Sequence, residues 1–330
     1  MLLHLFAAFV AAATALLIFA GGLVTSTESG LSVPDWPTTY GWFMFTFPLD
    51  KMVGGIRYEH SHRLIASVVG FLILVLAVWL WRAEPRRWVR RLGYVALGAV
   101  VTQGILGGIT VLWFLPDPIS IAHAGLAQLV FCLTLSIALA TSPGWHRGYP
   151  VGNRTLRIIA LVTTVVTYVQ ILVGATMRHT GAGLAIPDFP FAFGRLVPPA
   201  WSAPIAIHYA HRVGALVVTV LVLATAGHIL YHHRTRGELR RPALLLLAML
   251  SVQLTLGALT VLTGKQYVVN SLHVVAGAVV LGTSLVLTLR AHRPRIEGSG
   301  LGAQGSRFRN PLSPIPDPGS RIPELRGMGA

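Results

Sequence analysis

Long apolar runs alternate with short polar segments through most of the chain, and uncharged stretches of about 18 residues or more recur along it. A stretch of that length can cross the hydrocarbon core of a bilayer as a helix. The pattern therefore predicts an all-α integral membrane protein with eight transmembrane helices. We expect these helices at about residues 4–25, 61–81, 92–115, 119–142, 157–177, 207–231, 242–264 and 267–290.

The second half of the chain repeats the first. Residues 30–37 read Gly-Leu-Ser-Val-Pro-Asp-Trp-Pro, and residues 183–190 read Gly-Leu-Ala-Ile-Pro-Asp-Phe-Pro. A second match joins residues 103–111 to residues 253–261. Each half supplies four of the predicted spans, so both halves enter the membrane in the same direction. The repeat predicts two tandem, parallel four-helix bundles.

These bundles divide the chain into an N-terminal domain at residues 1–145 and a C-terminal domain at residues 146–290. The first apolar run is interpreted as a span and not as a signal peptide, because no basic residue precedes it and it has a counterpart in the second half. From about residue 291 the chain becomes polar and rich in proline and glycine. Residues 291–330 are therefore predicted to form a disordered cytoplasmic tail.

Composition and charge agree with a membrane protein. Hydrophobic residues make up 54% of the chain and charged residues 11%. The net charge of +15 would suit a nucleic-acid partner, but the arginines cluster in alternate loops, which is the distribution that orients membrane helices. We therefore expect surrounding lipid and no nucleic acid. The arginine-rich loops at 82–91, 146–157 and 232–241 predict that both termini face the cytoplasm.

Four histidines occupy repeat-related positions near the outer ends of the even-numbered spans. They are His62 and His123 in the first half and His211 and His273 in the second. Ionisable residues inside membrane spans are costly and usually functional. Zinc prefers three or four protein ligands, whereas a porphyrin iron takes one or two axial ligands. Two histidines in each bundle therefore predict a haem site in each bundle.

The two halves differ at one position beside these histidines. Glu59 precedes His62 by one helical turn, and His208 occupies the same place before His211. A carboxylate next to an axial ligand can shuttle a proton or stabilise a developing cation. We therefore predict that the N-terminal site transforms its haem and that the C-terminal site only holds one.

Several neighbouring residues have less specific interpretations. Arg63 and Arg212 follow the first histidine of each half, and they either pair with haem propionates at the outer surface or anchor the helix ends in the interface. His60 is interpreted as interfacial, and His179 as a loop residue that either contacts a haem edge or has no such role. The single cysteine, Cys132, is assigned no role, and it excludes an internal disulfide.

The chain resembles the haem A synthase family, the membrane cytochromes that make haem A for terminal oxidases. The resemblance rests on the Glu-x-x-His-Arg motif at 59–63, the His-Arg pair at 211–212, the lone histidines His123 and His273, and the loop at 30–37. It covers about residues 1–290, essentially all of the predicted membrane part. Many members of that family carry a cysteine pair in an outer loop, which this sequence does not have.

The resemblance implies a b-type haem between His211 and His273 and a haem O substrate near His62 and His123, with Glu59 essential for turnover. It implies oxidation of a ring methyl of haem O to a formyl group by successive hydroxylations, which makes haem A. It also implies a location in the inner membrane of a prokaryote, with the haem sites toward the outer face. Haem O synthase and cytochrome oxidase assembly factors are the partners it indicates.

Two other functions are compatible with parts of the pattern. Four histidines alone would suit a di-haem b-type electron carrier that oxidises no substrate, but Glu59 in one half only favours a substrate site. A transporter would be expected to have inverted repeats and polar residues at the membrane midplane. Here the repeat is parallel, and the polar residues lie at one face.

Overall fold

A computed structural model of the protein describes residues 1–147 and 151–293. Within these ranges, eight helices are long and apolar enough to cross a membrane, and no β-strand is present beyond two isolated bridges. The helices are α1 (Leu2–Ser26), α2 (Gly54–Ala83), α3 (Arg87–Leu112), α4 (Asp117–Ala140), the short α5 (Pro143–Arg147), α6 (Arg154–His179), α7 (Ala203–His232), α8 (Gly237–Leu262) and α9 (Tyr267–Ala291). The predicted all-α membrane fold is confirmed. The predicted tail lies, from residue 294 on, outside the described residues.

The ends of the helices differ from the prediction at a few places. Helix α2 begins at Gly54, several residues before the predicted start, so that Glu59 lies inside the helix. Helix α3 ends at Leu112, before the predicted end at 115. Phe114 and Leu115 have φ angles of 57° and 58°, a left-handed conformation that stops a helix, and their N–H groups donate to carbonyls of the last turn.

The helices form two similar groups. In the first, α1, α2, α3 and α4 pack in sequence, and α4 returns to pack against α1. In the second, α6, α7, α8 and α9 do the same, and α9 packs against α6. Each group has its own cluster of buried aliphatic side chains, as expected for helices that enclose an apolar core.

Glycines allow the two groups of helices to approach each other closely. Helix α9 packs against α1 and α4, and α4 also packs against α6. A Cβ atom built on Gly282 of α9 would lie 2.8 Å from the ring of Phe131 on α4. A Cβ atom on Gly125 of α4 would lie 2.7 Å from Leu172 on α6. Small residues of this kind let membrane helices make close backbone contacts.

We predict that Gly282→Val destabilises the protein, because the added side chain cannot fit beside Phe131 without moving α4 or α9. The expected loss is about 1–3 kcal/mol, the usual cost of overpacking a close contact. Thermal unfolding in detergent measures it. Gly227→Val is the matched control, because Gly227 is exposed on α7 and a Cβ there meets nothing within 4 Å. Equal losses for the two variants would contradict the packing argument.

Candidate functional site

Each of the four predicted ligand histidines packs against a glycine on the long helix before its own. A Cβ atom built on each glycine would lie between 2.9 and 3.1 Å from Cε1 of the facing imidazole, which is closer than side chains normally approach. The pairs are Gly21–His62, Gly107–His123, Gly174–His211 and Gly257–His273. The histidines therefore lie directly against the backbone of a neighbouring helix, and the same contact recurs four times.

The two histidines of the second half face each other. The imidazole rings of His211 on α7 and His273 on α9 have centres 6.4 Å apart and planes at 73° to each other. Two metal–nitrogen bonds of about 2 Å and the radii of two imidazole rings would separate the ring centres by roughly 6 Å. The observed separation therefore fits a single iron that both imidazoles would hold.

The histidines of the first half also form a pair. His62 on α2 and His123 on α4 are close enough for the charge of one to act on the other. The Nδ1 atom of His62 is buried and has no hydrogen-bond partner among the described residues. Buried polar atoms are almost always paired in a complete site. The unpaired nitrogen is therefore consistent with a histidine whose partner is a bound ligand.

Glu59 and Arg63 form a buried ion pair next to His62. Nη2 of Arg63 lies 2.6 Å from Oε1 of Glu59, and the backbone N–H of Val33 donates to Oε2 at 2.8 Å. Arg63 also donates to the carbonyl oxygens of Val33, Asp35 and Thr38. The ion pair thus ties the loop between α1 and α2 to α2. A propionate contact of Arg63, in addition to these bonds, stays a prediction.

The second half anchors its loop in the same way but without a carboxylate. Nδ1 of His208 accepts the backbone N–H of Ile186 at 3.2 Å, as Glu59 accepts that of Val33. Arg212 donates to the carbonyl oxygens of Ile186, Asp188 and Phe191. His208 therefore replaces the hydrogen bond that Glu59 makes with its loop but not the negative charge.

An aspartate holds the turn inside the loop after α1 and inside the loop after α6. Asp35 accepts the backbone N–H groups of Tyr40 and Gly41, and Asp188 accepts those of Phe193 and Gly194. The hydrogen bonds from Gly194 and Phe193 lower the pKa of Asp188. The repeated Pro-Asp-aromatic-Pro segments thus specify a folded loop over each pair of histidines, which their sequence match alone did not reveal.

Two other histidines near the site have different positions. His60 was predicted to be interfacial, and this prediction is wrong. The ring is buried beneath the first loop, with Nδ1 3.0 Å from Oγ1 of Thr39 and its centre 5.0 Å from that of Phe47. His179, at the end of α6, lies close enough to His123 to act on it electrostatically. It is therefore adjacent to the first histidine pair.

Comparison with known proteins places the chain in a family. A family profile described as cytochrome oxidase assembly protein matches residues 44–285. The haem A synthase of Symbiobacterium thermophilum is 32% identical over 251 residues, which cover 72% of this chain and 79% of that protein. The haem A synthases of Geobacillus kaustophilus and Lysinibacillus sphaericus are 28% and 27% identical, over 87% and 78% of this chain and 92% and 85% of those proteins.

We predict that Gly174→Val lowers the amount of haem bound, because the new side chain would push His211 out of line with His273. Loss of an orienting contact typically weakens metal binding by about tenfold or more. The absorption of the purified protein, per mole of protein, measures the bound haem. Gly98→Val is the control, since Gly98 is exposed and has nothing near its Cβ position. Unchanged haem content in Gly174→Val would contradict the prediction.

Proposed function

Because the chain belongs to the family of cytochrome oxidase assembly proteins, we propose that it is a membrane oxidoreductase that makes haem A from haem O. This agrees with the resemblance drawn from the residues at 59–63 and their counterparts, and the family match confirms that resemblance. The observation that carries the proposal is the asymmetry of two otherwise similar histidine sites. Only the first has a buried carboxylate, Glu59, one turn from a predicted ligand.

The second site is the one that would hold a resident cofactor. His211 and His273 would hold a b-type haem, which fits the 6.4 Å between their ring centres. When bound there, such a haem supplies one-electron redox chemistry. The chain itself keeps the two imidazoles opposed through Gly174 and Gly257, and it closes the site with the loop that Arg212 anchors.

The first site would take the substrate. His62 and His123 would hold haem O, and the loop over residues 30–37 would separate the reacting methyl group from bulk water. Conversion of that methyl group to a formyl group, by successive hydroxylations, removes four electrons from the substrate carbon, which an external oxidant must take up, and it breaks C–H and O–H bonds whose protons need an acceptor. A proton acceptor close to the substrate therefore favours the reaction.

Glu59 is suited to that role by its surroundings. Its carboxylate is almost completely buried, with 3% of the residue exposed, and one oxygen faces Arg63 at 2.6 Å. Arg63 fixes the carboxylate in one orientation and balances its charge in a poorly hydrated site. Glu59 would take up a proton or stabilise positive charge as it develops, whereas His208 in the other half offers no negative charge.

The protein is an integral membrane protein, and the curated relatives with which it aligns come from bacteria. Its place in the bacterial inner membrane, with both termini in the cytoplasm and the haem sites toward the outer face, rests on the arginine-rich loops. Haem O synthase would supply the substrate, and oxidase assembly factors would receive the product. Lipid surrounds the helices, and the exposed aromatic residues of the outer loops suit the membrane interface.

We predict that Glu59→Gln lowers haem A production by about a hundredfold or more, the usual contribution of a positioned proton acceptor, while the second site keeps its haem. The glutamine oxygen can still accept the N–H of Val33, so the loop remains anchored. Haem extracts from cells that also make haem O measure the product, and the absorption spectrum of the purified protein measures the retained haem.

A second variant separates the charge of Glu59 from its role in anchoring the loop. Glu59→His copies the arrangement that His208 has in the second half, with a hydrogen bond to the loop and no carboxylate. It should fold, retain haem in the second site and make little haem A. Haem A at the wild-type level from either variant would refute the role of Glu59.

We predict that His211→Ala and His273→Ala deplete the b-type haem, because each removes one axial ligand. Pigment extraction and identification by mass measure which haems remain. An unchanged absorption spectrum would show that these histidines are not the ligands. Two b-type haems in the wild-type protein, with no haem A or hydroxylated haem after co-expression with a source of haem O, would favour the di-haem electron carrier instead.

A further inference from the structure

Three of the four ligand histidines have a glutamine partner on the preceding helix. The glutamines are Gln103, Gln170 and Gln253, each four residues before the glycine that packs against the histidine. The amide nitrogens of Gln103 and Gln253 lie 3.3 and 3.4 Å from Nε2 of His123 and His273, and the amide nitrogen of Gln170 lies 3.0 Å from Nδ1 of His211. The glutamine thus belongs to the same repeated unit as the glycine and the histidine.

The amide also contacts the backbone of the ligand helix. Gln103 and Gln170 donate to the carbonyl oxygens of His123 and His211, at 3.0 and 2.7 Å. The side-chain oxygens of Gln103 and Gln253 are buried and have no partner among the described residues. If either amide is turned over, its oxygen faces that ring nitrogen and can accept an N–H from it, which is how ligand histidines are usually oriented. Nδ1 of His273 in addition lies 3.2 Å from the backbone carbonyl oxygen of Gln253.

Helix α1 lacks this glutamine. Leu17 stands four residues before Gly21, in the place that Gln170 has before Gly174. Leu17 packs against the buried apolar cluster of the first half. Nδ1 of His62 is buried without a hydrogen bond, as is Nδ1 of His123, but the ring of His123 also has the amide of Gln103 beside it. His62 is thus the one predicted ligand without a polar partner on the helix before it, within the part of the chain that the structure describes.

The difference extends to the helix that carries the histidine. Three residues after His211 comes Gly214, where a Cβ atom would lie 2.0 Å from the side-chain oxygen of Gln170. Three residues after His62 comes Ile65, which belongs to the same apolar cluster as Leu17. A glutamine and the space it needs are therefore present together beside His211 and absent together beside His62.

We propose that Gln103, Gln170 and Gln253 are positioning residues that hold His123, His211 and His273 in a fixed orientation for binding haem iron. We propose further that His62, which has Leu17 in place of a glutamine, is the ligand that dissociates from the iron. This inference rests on the proposed function and deepens it. The substrate site would have one fixed ligand, His123, and one labile ligand, His62, on opposite helices. A site that must take in haem O and give up haem A needs such lability, whereas a resident cofactor does not.

The test installs the missing glutamine and measures haem loss. Leu17→Gln with Ile65→Gly provides the amide and its space, and Leu17→Met with Ile65→Gly provides a side chain of similar length without the hydrogen bond. The full-length proteins, in detergent, are loaded with ferric protoporphyrin IX, and transfer to excess apomyoglobin is followed by absorption. We expect loss from the first site to be about 10- to 100-fold slower in the glutamine variant than in the methionine variant. Equal rates would overturn the inference.

A reciprocal variant keeps the test decisive if the first pair folds poorly. Gln170→Met removes the amide beside His211 and should speed haem loss from the second site about 10- to 100-fold relative to the wild type. Its low-spin spectrum should weaken in parallel, and an unchanged rate and spectrum would overturn the inference. Haem A production by the wild-type protein is scored separately: its absence would refute the proposed function, whereas the rates alone decide the role of the glutamines.

Discussion

The contact between an imidazole and the backbone of the preceding helix is the constraint on which both sites depend. It occurs between α1 and α2, α3 and α4, α6 and α7, and α8 and α9, each time at a glycine. Because any side chain at these glycines would occupy the space of the ring, the position of each histidine is set by the distance between two helix axes. The spacing of the helices therefore determines the positions of the histidines, and a change in helix packing would move the imidazoles.

The loops after α1 and α6 depend on a second repeated interaction, in which a buried or half-buried arginine donates to carbonyl oxygens of the loop. Arg63 and Arg212 each make three such bonds, so both loops are held over their histidines by the helix that carries the first ligand. The halves differ in how the charge is balanced. Arg63 forms an ion pair with Glu59, whereas the corresponding position before Arg212 is occupied by His208. The first site can therefore hold a negative charge where the second site cannot.

The sequence predicted the spans, the repeat and the histidine pairs, because apolar length and residue spacing are local properties of the chain. It did not predict that Gly21 and Gly174 face histidines, since the two residues of each contact lie on different helices, about forty positions apart in sequence. The burial of His60 was also missed, because a polar stretch before an apolar run resembles a loop, whereas here it is a helix covered by one. The boundary predicted between the two bundles stays a prediction.

The repeat also shows where the two halves have diverged. Features needed to place the ligands, such as the glycines and the loop arginines, are present in both halves. The differences concern Glu59 against His208, Leu17 against Gln170, and Ile65 against Gly214. All three positions surround His62 or its counterpart, His211. The imidazole of His211 has hydrogen-bonding neighbours and no carboxylate beside it, whereas the imidazole of His62 has a buried carboxylate nearby and no hydrogen-bond partner on the preceding helix. Under the proposed function, a duplicated cofactor site has become a substrate site by changes of this kind, which leave the fold intact and alter the surroundings of a single histidine.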